Sequence, residues 1–157
     1  MSAIFGRTVL GIALFMSLSN CSGQAGPPPP AEDKISQLER RYRQAIDCAG
    51  LMKTTSAVYR ASAAASSVNP ADREAKLLFE RNSDLRTQDS ERFRAMAVAA
   101  KAELDAAHYL EHTDVAGQID QKDAQLMSEF GPAAQEPSVA LTRLEPQISV
   151  CDRLAPR

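Results

Sequence analysis

The sequence predicts an all-α protein: an up-and-down bundle of about four helices, stapled by a disulfide. Three observations carry this expectation. Alanine is abundant, tryptophan is absent and β-branched residues are sparse, so no stretch alternates apolar and polar residues over the length of a strand. Apolar residues instead recur every three or four positions through most of residues 32–157, the period of a helix with one buried face. Two cysteines, Cys48 and Cys151, fall near the two ends of that region. A bridge between them requires the first and last helices to be neighbours, as an up-and-down bundle provides.

The first helix carries its stripe on Ile35, Leu38, Tyr42, Ala45, Ala49 and Met52, continuing through Ser56, Tyr59 and Ala63. Tyr42 and Tyr59 lie on that stripe and read as core rather than as a ligand platform. The helix ends at Ser67-Val68-Asn69-Pro70. Asn69 suits an N-cap and Pro70 a first helical position, with Asp72 and Glu74 in the turn where the helix dipole favours acids.

The second helix follows, with Leu77, Leu78 and Leu85 as its expected apolar face. The polar run NSDLRTQDSER then suggests a break or a solvent-washed stretch near residues 83–90. Phe93, Met96, Ala97, Ala100, Leu104, Ala107 and Leu110 resume the stripe. Thr113 or Asp114 suits the cap of a third helix bearing Val115, Ile119, Leu126 and Phe130, stopped by Gly131-Pro132. The last helix follows Pro137 with Leu141, Leu144, Ile148, Cys151 and Leu154 on one face, and Pro146 is expected to kink or split it.

So many alanines bring helices close together but bury little apolar area per residue. A bridge from Cys48 to Cys151 closes a loop of roughly a hundred residues, for which chain entropy gives about 4–5 kcal/mol less any strain. The wide spacing does not suit a reactive thiol pair or a metal-thiolate site.

The N-terminus has the form of a secretory signal. Arg7 precedes the apolar run TVLGIALFMSL at residues 8–18, too short to span a bilayer and of the right length for a signal core. Residues 18–21, LSNC, resemble a bacterial lipobox: Leu18, Ser19 and Cys21 match that pattern, while Asn20 stands where Gly, Ala or Ser is usual. The resemblance implies cleavage ahead of Cys21, a diacylglyceryl group on its sulfur, and a membrane anchor through that lipid. The competing cleavage follows Ala25, with Gly23 and Ala25 as the small residues, and would leave a soluble periplasmic or secreted chain. On either route Cys48 and Cys151 remain as an even pair. The expected organisation is a signal at 1–20, a Gly/Pro-rich linker at 21–31 and a helical domain at 32–157. Four consecutive prolines, ending at Pro30, make the linker an extended spacer of roughly 12 Å.

One motif invites an enzymatic reading. HYLEH holds both histidines of the chain, His108 and His112, one helical turn apart and thus on one face. Letter for letter it resembles the H-x-x-E-H signature of inverted zincin metallopeptidases, which implies zinc on the two imidazoles and Glu111 as general base. Those enzymes are large α/β domains with a third, carboxylate ligand well downstream. Here no sheet is expected, and Glu129, Glu136 and Glu145 have no distinguishing context. We expect no catalysis, and keep as the alternative a metal site on His108 and His112 completed by Asp105, Glu111 or a second chain.

Further chemistry is not encoded in any recognisable motif. There is no Gly-rich phosphate loop, nucleophile elbow or C-x-x-C-H haem site, so no cofactor is expected. Asp114, Asp120 and Asp123 lack the Gly and closing Glu of a calcium loop. The net charge of −2, one unit more negative once Arg7 is removed, gives no reason to expect nucleic acid. Arg40, Arg41 and Arg43, with Glu39 among them, read as a solvated helix face. The expectation is a small exported, lipid-anchored protein of the bacterial cell envelope that binds an envelope protein partner or serves structurally. A groove beside residues 83–90 is the expected binding surface.

Overall fold

The first helix, α1 (Lys34–Ser66), begins at a cap built by the preceding residue. The Ser36 N–H donates to Asp33 Oδ1 at 2.8 Å, and the Ser36 hydroxyl donates to Oδ2 at 3.1 Å. Those bonds, the backbone one foremost, hold the Asp33 carboxyl below its usual range. α2 (Arg73–Asp105) follows a single 3₁₀ turn, Pro70–Asp72, so the α-helix starts after Asp72 rather than at Pro70. α3 (Val115–Phe130) starts at the expected cap: Asp114 Oδ1 accepts from the Ala116 N–H at 3.0 Å. α4 (Pro137–Leu154) opens on Pro137. Together with the residues flanking them, these elements make up the computed structural model, which describes residues 33–66, 70–107, 114–130 and 136–155. Among the described residues there is no strand.

Neither a break in α2 nor a split of α4 occurs. α2 runs unbroken through residues 83–90, where the polar stretch is solvent-washed at Asp84, Leu85, Thr87 and Gln88, and α4 continues through Pro146. Pro146 is exposed, so the carbonyl one turn back that loses its N–H partner can be solvated.

α1 and α2 pair antiparallel along their whole length: Lys34 lies beside Glu103, Ala49 beside Ser90, and Ser56 beside Ser83. α3 follows the direction of α1, with Gln118 against Tyr42 and Asp123 against Thr54. α4 runs back, with Cys151 on Cys48 and Thr142 beside Tyr59. The bundle is therefore up-down-up-down, and α1 packs against all three other helices. That is why its middle is buried well beyond the expected stripe: Ile46, Cys48, Leu51, Thr54 and Thr55 are buried together with Ala45, Ala49 and Met52. Phe93, Leu104 and Leu144 fill the space around them. α3 lies so close that a Cβ on Gly50 would sit 2.7 Å from Lys122 Cβ and Cγ. Lys53 pins the same helix from outside, at 2.7 Å from Asp120 and 3.3 Å from Asp123.

The apolar face of α2 needs correction. Leu77, Leu78 and Leu85 are 56%, 55% and 47% exposed, and the residues turned toward α1 in that half are Phe79, Ser83, Arg86, Thr87 and Ser90. A helix is rigid, so Phe93, Ala97, Ala100 and Leu104, all buried, set which side faces α1. Traced back by whole turns, that side meets Ser90, Arg86 and Ser83 rather than leucines. The hydroxyls satisfy one another: Ser56 Oγ lies 3.0 Å from Ser83 Oγ and 2.8 Å from Thr87 Oγ1, and Ser90 donates to the Ala49 carbonyl at 2.8 Å. Tyr59 is likewise half-buried rather than core, with its ring centroid 6.3 Å from that of Phe79. Leu154, expected on the buried face of α4, is 38% exposed.

Candidate functional site

α1 and α2 each have 33 residues and extend about 50 Å, whereas the 18 residues of α4 extend only about 27 Å. α4 lies over the half of the α1–α2 hairpin nearer Tyr59 and ends at Leu154, beside Gln44. Beyond Leu154 no described residue from the end of α4 except Ala155 lies over the hairpin, and a groove of about 460 Å³ remains. Leu38, Ala45, Phe93, Met96, Ala99 and Ala100 supply its apolar surface. Phe93 forms the floor at 1% exposure, and the alanines leave room that larger side chains would fill.

The polar groups of the groove stand on its rim. Arg41, Gln44 and Glu103 are exposed there. Lys34 lies 3.9 Å from Glu103, and Arg43 is bonded to Glu39 on the same helix. Among the described residues Arg41 makes no ion pair. A smaller groove of about 250 Å³ lies on the other side of Leu154, floored in part by Cys48 and Cys151.

Near residues 83–90, where a binding groove was expected, a depression of about 320 Å³ lies between Tyr59, Arg86, Thr142 and Glu145. Arg86 is engaged there: its Nη1 is 2.6 Å and its Nη2 3.3 Å from the two carboxylate oxygens of Asp152. Burial works against the Arg86 charge, but the bond to Asp152 and the charges of Asp152 and Asp89 outweigh it and raise its pKa.

A third feature lies where α2 ends and α3 begins. The Tyr42 hydroxyl donates to Gln118 Oε1 at 3.0 Å. Burial, and then the charges of Asp105 and Asp114, push the Tyr42 pKa up. Asp105 Oδ2 accepts from Lys101, while its Oδ1 is buried without a hydrogen-bond partner among the described residues.

Of the residues singled out from the sequence, Cys48 and Cys151 form a disulfide, with Cα atoms 5.6 Å apart. Cys21, His108, Glu111 and His112 lie outside the described residues. Glu129 accepts from Gln125 on its own helix, and Glu145 lines the depression beside Tyr59. Among the described residues no group of three or more His, Cys, Asp or Glu is placed to hold a metal ion. None of the described helices is long and apolar enough to cross a membrane. The groove beside Arg41 went unnoticed in sequence. Its only signal there is the difference in length between the hairpin helices and the last one. Comparisons with protein-family models, curated proteins and solved structures find no match.

Proposed function

We propose that this is a small exported helical protein of the bacterial cell envelope, anchored by lipid on Cys21, that acts as a binding or structural component rather than an enzyme. The observation that carries the reading is the Cys48–Cys151 disulfide, which spans a sequence separation of 103. Such a bridge persists in an oxidising compartment and is reduced in most cytosols. The LSNC segment and the proline spacer support the lipid route, because they supply an acceptor cysteine and a stiff post ahead of the folded body. Its partner is then an envelope protein, with the membrane engaged through the lipid and no nucleic acid involved. Intact mass measurement of protein purified from its native cells tests the reading. A chain starting at Cys21, heavier by a diacylglyceryl group and lighter by two protons, is the expected result. An unprocessed chain with all thiols free overturns it.

A second reading, a periplasmic metal-binding module on His108 and His112, is favoured by one observation. Asp105, three residues before His108, keeps a buried carboxylate oxygen with no hydrogen-bond partner among the described residues. Zinc titration separates it from the first: micromolar binding lost in the His108→Ala/His112→Ala variant supports it, and binding unchanged by that replacement removes it.

A further inference from the structure

The groove beside Leu154 is lined mostly by hydrocarbon, and its polar side chains, Arg41, Gln44 and Glu103, are exposed. Six of its lining residues, Leu38, Ala45, Phe93, Met96, Ala99 and Ala100, offer no side-chain hydrogen-bond partner, so a segment lying against them is best apolar. Phe93 is sealed at 1% exposure, and the walls are the methyls of Ala45, Ala99 and Ala100 with Met96. That surface suits a flexible polymethylene chain. Measured along α2 from Phe93 to Glu103, the trough is about 15 Å long, and Leu154 stands at its Phe93 end. Its volume of about 460 Å³ lies within the range of small-molecule sites, roughly 300–1,000 Å³.

Charge decides the head group. Glu103 lies beside Lys34 at the end away from Leu154, whereas Arg41 makes no ion pair among the described residues. Gln44 follows Arg41 by three residues and so lies on the same side of α1, where its amide offers a further donor. A guanidinium and an amide above an apolar trough complement an anion carried on a hydrocarbon tail.

We propose that this groove is a binding site for a free fatty carboxylate, its chain laid along Phe93, Met96 and Ala99 and its head held at Arg41. The inference goes beyond the envelope reading and does not depend on it. Titration of the purified chain tests the groove, mass measurement of native material tests export, and either can fail alone.

The test is isothermal titration of the full chain with dodecanoate and, in parallel, with its neutral alcohol. Dodecanoate is expected to bind once per chain with Kd on the order of 10 µM, and the alcohol about tenfold more weakly. Arg41→Gln should remove that difference and leave the alcohol unchanged. Ala99→Phe, at an exposed wall position, should abolish uptake, while Ala95→Phe, exposed but outside the groove, should not; circular dichroism confirms that both fold. No saturable binding, uptake unaffected by Ala99→Phe, or association only with phospholipid vesicles overturns the proposal. So does a concentration-dependent dimer that takes up no dodecanoate, since a second copy then covers the groove.

Discussion

Ser56 and Ser83, 1% and 3% exposed, meet at 3.0 Å in the seam between α1 and α2. Small hydroxyls that bond one another let the two helices approach closely while leaving no buried polar atom of the pair unmatched. The register of the hairpin therefore rests on polar contacts over one half and on Phe93 and Leu104 over the other.

Ser83→Leu should destabilise the fold by about 1–3 kcal/mol, because a leucine cannot enter a seam packed for a hydroxyl. Ser83→Ala should cost about 1 kcal/mol through the bond lost at Ser56. Leu85→Ser, on the exposed side, should change stability by less than about 0.5 kcal/mol. Urea unfolding ranks the three, and a larger loss at Leu85 than at Ser83 would show that the leucines, not the serines, face α1.

Removing the bridge with Cys48→Ser/Cys151→Ser should lower stability by about 2–4 kcal/mol, since the loop it closes covers most of the domain. Thiol reduction of the unaltered chain should give the same loss. Equal denaturant midpoints for the oxidised and reduced forms would contradict this expectation.

Gly50→Ala should be destabilising, although the same change on a free helix stabilises by up to about 1 kcal/mol. The added methyl would meet Lys122 Cβ and Cγ at 2.7 Å, and these atoms next to the α3 backbone cannot swing aside as a side-chain tip can. Thermal unfolding checks the sign, and a rise in Tm would mean that α3 stands farther from α1 than described.

Arg86→Met should cost about 1 kcal/mol, because Asp152 is 48% exposed and water takes over part of the lost interaction. Salt should weaken the native contact, so the gap between variant and native stability should narrow in concentrated sodium chloride.

Tyr42 titrates above its ordinary value of 10.0 in the folded protein, through burial and then the nearby Asp105 and Asp114 charges. The folded state thus keeps the phenol neutral where the unfolded chain has begun to ionise. The stabilisation is complete below 10.0 and is lost as pH rises through the elevated folded value. Tyr42→Phe should flatten the alkaline fall in Tm relative to the native chain. Parallel curves for the two proteins would sever the link to Tyr42.

Much of the fold is legible in the residues themselves. Val115, Ile119, Leu126 and Phe130 are all buried as their spacing requires, Asp114 caps the helix ahead of them, and Cys48 reaches Cys151. These features depend on the local 3.6-residue period and on a single covalent pairing, both written along the chain. The continuity of α2 is not so written. NSDLRTQDSER is polar on both sides: Asp84, Gln88, Glu91 and Arg92 face solvent, while Ser83, Thr87 and Ser90 pair across a seam with Ser56 and Ala49, and a partner of that kind is invisible to periodicity. The leucines misled for the same reason, since apolar character marks a buried face only when some neighbour covers it.

By itself, then, the order of residues determined the helical class, the number of helices, the cap of α3 and the pair of sulfurs that join, since each follows from local spacing or from Cys48 and Cys151 lying on the first and last helices. Tertiary structure alone decided that α1 would be enclosed by three neighbours, that serines rather than leucines would line the upper seam, and that α4 would stop at Leu154 and leave the Arg41 groove open. Those outcomes depend on how long each rigid helix is and where it lies beside the others, quantities that arise only when the elements are brought together in space.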